Sequence, residues 1–366
     1  MHLNFISPIN DLGYGYAGLH ICDELIKLGH EVSLFPIGKP YCHFRHEDNI
    51  KQAILNADKF DVNAKCIRLW HQHDMSMFVG KGTHIGFPIF ELDTFTEKEK
   101  HHLKSCDDIF VCSHWAKNII DEKIRYFDKL GGRTWCGGPL SKVVPLGVDT
   151  EVFTPKISKR KPTIFLNVGK WEKRKGHYDI IQAFNFAFNE NDNVELWMMC
   201  ENPFLNQEQT QIWHNRCKDS KMGHKIRILP RVETDTQVAE IMQQADCGVF
   251  PSHGEGWNLE ALEMLSCGKQ VIATDYSAHT EFLTQENAWL LPINKMEPAY
   301  DGIWFYKQGN WASFDNFTLS KLAEYMKTIH NRKQSGQLEL NMAGIKTAQK
   351  FTWGNTAETI IQHLST

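Results

Sequence analysis

Short apolar runs alternate with stretches of helical period along the whole chain, and this alternation predicts strands and helices in turn. In the first half, Leu3 to Ser7 reads as a strand and leads into a glycine-rich turn, Asp11-Leu-Gly-Tyr-Gly-Tyr-Ala-Gly18. Leu19, Cys22, Leu25, Ile26 and Leu28 then recur at helical spacing, Gly29 supplies a C-terminal stop, and Glu31 to Phe35 is the next strand. Tyr41 to Phe60 reads as polar and helical. Cys66 to Trp70 is a strand that stops at His71-Gln-His73-Asp74, and His84 to Phe90 is another that ends at Glu91-Leu-Asp93. A charged helix over Glu97 to Lys104, a strand over Asp108 to Cys112 and a short strand with a turn over Val143 to Asp149 complete this half.

The second half repeats the alternation. Strands are predicted at Thr163 to Val168, Val194 to Met199, Ile226 to Leu229, Cys247 to Phe250 and Gln270 to Thr274, with an apolar stretch at Ala288 to Leu291. Helical patterns carry Ile180, Ile181, Phe184 and Phe188, then Val238 to Met242, then Leu259 to Leu265, a short helix opening at Thr280-Glu281-Phe282, and a last one over Asn355 to Leu364. Strands alternating with helices in both halves predict an α/β fold with two doubly wound parallel sheets. The basic run Lys156 to Lys161, between Pro155 and Pro162, is the expected linker. It divides the chain into an N-terminal domain over residues 1–157, a C-terminal domain over 158–350, and a terminal helix in 351–366 that can cross back to the first domain.

Composition changes this picture little. A chain of 366 residues with 42% hydrophobic and 23% charged residues has room for two domains with real cores. A formal net charge of −4 excludes a global cationic field that would recruit nucleic acid or anionic membrane. The 10 cysteines form no C-x-x-C pair and sit mostly in apolar runs, as small buried hydrophobes do in a reducing compartment. Met-His-Leu-Asn-Phe-Ile-Ser-Pro reads as a first strand, not a signal peptide, and no run approaches the ~20 apolar residues of a membrane helix. A cytoplasmic protein without an integral membrane segment is the expectation.

Four constellations carry candidate chemistry. Gly13, Gly15 and Gly18 match G-x-G-x-x-G, but the second strand runs out into Pro36-Ile-Gly-Lys39, without the acid that a dinucleotide ribose needs. The loop still offers close backbone approach and helix-start N–H groups. His71, His73 and Asp74 lack a further ligand at metal-site spacing, so a histidine at this strand end is read as a substrate hydrogen-bonding group and no metal site is expected. Gly169-Lys-Trp-Glu-Lys-Arg-Lys-Gly176 places Lys170, Lys173, Arg174 and Lys175 ahead of a helix, where cations disfavour the helix itself and so point to a phosphate or diphosphate. Phe250-Pro-Ser-His-Gly-Glu-Gly-Trp-Asn-Leu-Glu-Ala-Leu-Glu263 sets Glu255 and Glu263 eight residues apart, on one face if the helix starts at once.

The motifs Val144-Pro-Leu-Gly-Val-Asp-Thr-Glu-Val-Phe153, Asn167-Val-Gly-Lys170 with Lys175-Gly176, Phe250-Pro-Ser with Glu255 and Glu263, and Cys267-Gly-Lys-Gln-Val-Ile-Ala273 stand in an order and spacing that covers nearly the whole chain. In this the sequence resembles GT-B-fold retaining glycosyltransferases of family 4 (glycosyl transferases group 1), which include sucrose synthases and mannosyltransferases. The resemblance implies two Rossmann-like domains facing a central cleft. It gives catalytic roles to Glu255, His73 and Lys175, with Glu255 and His73 at the donor sugar. Lys170 and Lys175 would bind the diphosphate, completed by the backbone of Gly256, Trp257, Asn258 and Leu259; Glu263 would take the ribose, and Arg231 would lie along the base. Gly13 and Gly15 would close on the diphosphate or acceptor, and Tyr14, Tyr16, Glu91 and Asp93 would lie on the acceptor side. The co-substrate implied is a UDP- or GDP-linked sugar, with no other cofactor and no bound metal, the D-x-D motif being absent.

The chain departs from the family twice. Lys170 stands where the family usually has arginine, keeping the charge but losing the bidentate fork. Asn258-Leu259-Glu260 stands where the family usually has Gly-Leu-Pro. The implied reaction moves a hexose or related sugar to an acceptor hydroxyl with retention, by a front-face path in which the leaving phosphate helps take the acceptor proton. The acceptor could be a glycan, a small molecule, a protein or a modified base in viral DNA, and the oligomeric state is open. The alternatives are a nucleotide-sugar epimerase or a non-catalytic nucleotide-sugar-binding protein on the same fold, and a nicotinamide dehydrogenase, which the missing acid disfavours.

Overall fold

The computed structural model describes residues 1–42, 44–130 and 133–365, and describes no side chains for 44, 126–130 and 133–136. The chain divides into two compact units, residues 1–147 with 351–366, and residues 148–350.

In the first unit the strands are β1 (His2–Ser7), β2 (Glu31–Pro36), β3 (Lys65–Trp70), β4 (His84–Pro88), β5 (Asp108–Val111), β6 (Tyr126–Leu130), β7 (Arg133–Gly137) and β8 (Leu140–Val143). Its helices are α1 (Gly13–Lys27), α2 (Phe44–Asn56), α3 (Glu97–Lys104) and α4 (His114–Lys123). One six-stranded parallel sheet runs in the order β2-β1-β3-β4-β5-β8, and β6 and β7 form a separate antiparallel hairpin. The central strands are buried almost without a break because both faces are covered: β1 is buried from Leu3 to Ser7 and all of β4 is buried. Phe90, Phe95, Ile109, Val111 and Ile120 pack into one core on the β5 side.

The second unit contains β9 (Thr163–Val168), α5 (His177–Ala187), β10 (Val194–Met199), α6 (Gln207–Lys218), β11 (Ile226–Ile228), α7 (Asp235–Gln244), β12 (Cys247–Phe250), α8 (Leu259–Ser266), β13 (Gln270–Thr274), β14 (Trp289–Leu291), β15 (Met296–Tyr300), β16 (Tyr306–Ala312), α9 (Asn316–Gln334) and α10 (Met342–Ala348). Its six-stranded parallel sheet has the order β11-β10-β9-β12-β13-β14, and β15 pairs with β16 as an antiparallel hairpin. Phe165, Phe184, Phe188, Met326 and Ile329 make the core against α5 and α9. The short helix expected to open at Thr280 is instead a 3-10 turn over Ser277–Glu281.

Two segments differ from the sequence reading. The strand expected over Val143 to Asp149 stops at Val143, because Pro145 has no N–H to continue the ladder. The basic run Lys156 to Lys161 is held on the second unit: the Lys156 N–H donates to Cys267 (3.3 Å) and Ser158 Oγ to Gln244 (2.7 Å).

The last helix, α11 (Trp353–Ser365), packs on α1 within the first unit. Its start is seated against Gly147, where a Cβ would lie 2.2 Å from the Trp353 nitrogen. His20 stacks on the Trp353 indole (4.9 Å, 9°), and Thr356 Oγ1 donates to the Pro145 carbonyl (2.8 Å). Gly147→Ala should therefore displace the helix start and lower the unfolding free energy by roughly 1–3 kcal/mol, as overpacking does. Urea unfolding of both proteins measures this, and an unchanged midpoint would contradict the close approach.

Candidate functional site

In the second unit the chain leaves β9 outward to β10 and β11, then returns to lay β12 on the other side of β9. The carboxyl ends of β9 and β12 therefore flank the point where the strand order reverses, which is where open α/β sheets bind ligands. Both turns there are specified locally. Gly169 (φ +147°) and Gly176 (φ +69°) bracket the cationic turn, and a Cβ on Gly176 would meet the Pro251 carbonyl oxygen at 2.1 Å. The His253 N–H donates to the Arg174 carbonyl (2.7 Å) and ties the second turn to the first.

The charges meet between these turns. Glu255 is buried, and its Oε1 accepts from Lys175 Nζ (2.9 Å) and Ser252 Oγ (2.7 Å). Its Oε2 accepts from Arg174 Nη1 (2.8 Å). Arg174 also donates to the Gly254 carbonyl (2.7 Å) and, through Nη2, to Glu172 (2.9 Å). Burial alone would raise the Glu255 pKa, but Arg174 and then Lys175 outweigh it and hold the carboxyl well below the usual range. Burial likewise works against the Lys175 ammonium, and Glu255 with Glu260 holds it charged, above an ordinary lysine. Lys170 is more open, 3.3 Å from Glu172 and 5.2 Å from the centre of the Phe204 ring.

Glu255 and Glu263 do not share a helix face, because α8 starts only at Leu259 and Glu255 stays on the turn before it. Asn258 is the N-cap, with φ +84° and ψ +76°, and its Oδ1 accepts from the Ala261 N–H (3.1 Å). This left-handed backbone explains the departure at position 258: glycine is the easy residue there, and asparagine is the side chain that best tolerates it. Asn258 Nδ2 donates to His279 Nε2 (2.8 Å). His279 Nδ1 faces the Thr274 carbonyl (3.0 Å) and must donate to it, which fixes the neutral tautomer. Glu260 fills the first turn of α8, 4.0 Å from Lys175, a favourable place for an anion. Glu263 is buried, and among the described residues no cation or hydrogen-bond donor reaches its carboxyl. Burial, then Glu260, then Asp235 push its pKa well above that of a free glutamate. The Trp257 indole packs on Phe282 (5.0 Å) in the core, so what this residue can offer a ligand is its backbone. Arg231 lies exposed beyond β11.

The first unit gathers its own candidates at the same kind of reversal, where β1 lies between β2 and β3. The Tyr14 hydroxyl donates to the Ile89 carbonyl, and its ring lies 4.6 Å from His71, which stacks on the exposed His73 (5.2 Å, 13°). Burial, then Glu91, raises the Tyr14 pKa well above the ordinary value. Tyr16 instead packs on His20 (4.4 Å) and Trp353 (5.9 Å), facing the terminal helix. Glu91 and Asp93 are half-buried in the segment after β4. Gly15 has a structural reason of its own, since a Cβ would lie 2.2 Å from Asn10 Oδ1, whereas a Cβ on Gly13 would meet nothing within 4 Å. Gly18 closes the helix on the strand: a Cβ there would lie 2.0 Å from Ser7 Oγ.

Sequence reasoning gave no separate role to Arg174, Glu172, Ser252 or His279. The only signal for Arg174 was its place in the Lys-Arg-Lys run, which does not say which side chain turns inward. Among the described residues no group of three or more metal-ligating side chains comes together, and no helix is long and apolar enough to cross a membrane.

Residues 162–303 match the family model described as Glycosyl transferases group 1, a span that contains both turns and α8. A D-inositol 3-phosphate glycosyltransferase from Paenarthrobacter aurescens is 23% identical over 224 residues, 59% of this chain. That match spans 49% of the relative's own length, about half. Sucrose-phosphate synthase from Thermosynechococcus elongatus superposes with a TM-score of 0.70 at 15% identity, over 100% of this chain and 98% of that one. HepE from Anabaena, solved in complex with UDP-glucose, gives 0.71 at 14% identity, over 100% and 99%. The two six-stranded parallel sheets are those of the GT-B fold.

Burial denies the His279 imidazolium its water and lowers its pKa from 6.5 to about 4. Between those values the unfolded chain binds a proton that the folded chain refuses, so stability falls as pH falls through this window. His279→Gln removes that proton uptake. Chemical denaturation should show the stability difference between wild type and variant shrinking by up to a few kcal/mol from pH ~7 to ~4.5. A difference constant with pH would overturn the neutral, buried assignment.

Proposed function

We propose that this protein is a retaining glycosyltransferase that moves a hexose or related sugar from a nucleoside diphosphate to an acceptor hydroxyl. The observation that carries the reading is the pairing of two turns at the carboxyl ends of β9 and β12. They bring Lys175, Arg174 and a helix start together with the carboxylates of Glu255 and Glu260. A diphosphate is the ligand that such cations and helix-start N–H groups serve. The match of this segment to glycosyl transferases group 1, and the UDP-glucose complex of the HepE neighbour, support a nucleotide-sugar donor.

The resting charges suggest an order of events. Lys175 is paired with Glu255, so an incoming diphosphate competes for it with a carboxylate. As Lys175 turns to the phosphate, Glu255 Oε1 keeps Ser252 and gains room for a sugar hydroxyl, while Arg174 still fixes Oε2. Glu255 thus positions the sugar and does not attack it. Glu263, buried without a donor of its own, is assigned the ribose hydroxyls, which would satisfy its carboxyl. Lys170 adds charge to the diphosphate, and His73 keeps the sugar-contacting role that the resemblance implies.

In the reaction the bond between the anomeric carbon and the phosphate oxygen breaks, and the acceptor oxygen bonds that carbon from the same face. The acceptor proton passes to the leaving diphosphate, whose charge Lys175 and the start of α8 stabilise. A protein that only binds the donor, or epimerises it, would form no glycoside.

Glu255→Gln and Lys175→Ala should each lower sugar transfer per folded molecule by at least about a hundredfold, the scale of losing one electrostatic group in an active site. Liquid-chromatography detection of free nucleoside diphosphate and glycoside measures this across UDP- and GDP-sugars. Full activity in either variant would remove the site assignment. Glu263→Ala should weaken UDP or GDP binding about tenfold by calorimetry, and unchanged affinity would remove its ribose role.

A further inference from the structure

The β15–β16 hairpin lies outside the roles assigned above, yet it is rooted in both turns of the site. At the end of β16 the Ala312 N–H donates to the His253 carbonyl (2.8 Å), and His253 Nδ1 donates back to the Ala312 carbonyl (2.6 Å). At the end of β15 Lys173 Nζ donates to the Tyr300 carbonyl (2.9 Å). The hairpin is therefore fastened to the residue two before Glu255 and to the residue two before Lys175.

Its outer face is aromatic and open. Tyr300 is 47% exposed, Trp304 48% and Tyr306 62%, joined by Phe204 at 55% from the segment before α6. Large aromatic rings are normally drawn into cores or interfaces. These rings come in edge-on pairs, Tyr300 with Tyr306 (6.3 Å, 79°) and Phe204 with Trp304 (6.1 Å, 80°). The turn that presents them is stiff. Asp301 Oδ1 accepts from the N–H groups of Ile303, Trp304 and Phe305 at 2.8, 2.8 and 2.9 Å, and the Tyr306 hydroxyl donates to the Gly302 carbonyl (2.9 Å). Lys307 holds a left-handed backbone (φ +68°), strain of the kind kept at ligand sites.

We infer that this face is a binding platform for a neutral saccharide, continuous with the site at the two turns. Its chemistry selects that class. A pyranose offers a C–H face that stacks on an aromatic ring, with hydroxyls at its edge for a polar neighbour such as the Tyr300 hydroxyl. Single-stranded nucleic acid or anionic lipid would also use aromatic rings, but each needs a surplus of free cations. Here Lys173 is committed to a carbonyl, Lys307 lies over the Tyr300 ring (5.7 Å), and Lys170 over the Phe204 ring (5.2 Å) is 3.3 Å from Glu172, while Asp301 and Glu297 add two acids to the same hairpin. The inference deepens the transferase reading and rests on it for one point, that the saccharide is part of the acceptor or the growing product.

The test uses the whole chain and a panel of soluble neutral hexasaccharides, maltohexaose, cellohexaose, mannohexaose and chitohexaose acetylated on nitrogen. Affinity is read by calorimetry and saturation-transfer NMR without donor. Wild type should bind at least one, and Trp304→Ala with Tyr306→Ala should weaken that binding at least about tenfold, as loss of aromatic anchors does. Trp304→Phe keeps the ring face and should keep the binding, which separates stacking from general damage to the hairpin. UDP and GDP affinity should be unchanged in all variants. No saccharide binding by wild type, or binding that survives the double variant, would overturn the platform. So would phosphatidylglycerol vesicles or an oligothymidylate that bind wild type and are lost with the double variant. Saccharide binding without UDP or GDP binding would leave the platform standing and remove the donor reading, and the converse would do the opposite.

Discussion

A carboxylate shut away from water between a guanidinium and an ammonium is the interaction on which the second unit's site depends. Glu255 reaches Arg174 at 2.8 Å and Lys175 at 2.9 Å, and all three are buried. Removing one member of such a group strands the others as buried charges, which is far more costly than the pair is favourable. The cluster therefore fixes geometry more than it adds stability. It ties the turn after β9 to the turn after β12, beside the close approach of Gly176 to Pro251. The same cluster leaves the site close to electrically balanced at rest, with Glu172 closing the far side of Arg174. An anionic ligand must redistribute those charges to bind.

Much of the fold was legible in the sequence because both sheets are covered on two faces. β1, β9 and β12 are mostly apolar runs with sharp ends, and such runs are hard to mistake. The β15–β16 hairpin was not legible. Its strand Met296 to Tyr300 is half open to solvent, so no buried period marks it. The strand expected over Val143 to Asp149 was placed too late, since β8 ends at Val143: Val143 and Val144 look alike as apolar residues, and only the missing N–H of Pro145 separates strand from coil.

The site was legible in kind and not in wiring. Cations on one turn and acids on the next could be read from spacing, but which cation turned inward could not. Arg174 and Lys175 are neighbours in the chain, both buried and both paired with Glu255, and Arg174 also reaches Glu172. The change from glycine to Asn258 looked like a departure in chemistry. The backbone shows a substitution that preserves the left-handed turn, and the amide then finds a partner in His279, twenty-one residues further on. No local pattern could announce that pair. In the first unit Gly15 and Gly18 serve packing against Asn10 and Ser7, a reason that a phosphate-loop motif does not contain.

Arg174 and Glu255 stand 81 residues apart in the chain, with α5, β10, α6, β11, α7 and β12 between them. Neither turn can reach its final form until the sheet has closed β12 onto β9, because each supplies the charge that the other buries. Loop closure over such a separation is slow, and it precedes the contacts that reward it. A nascent chain that has made only β9 and its cationic turn has Glu172 but lacks the Glu255 carboxylate that pairs both Arg174 and Lys175. Competence to bind is thus acquired in one late step of folding, together with the sheet itself and not before it.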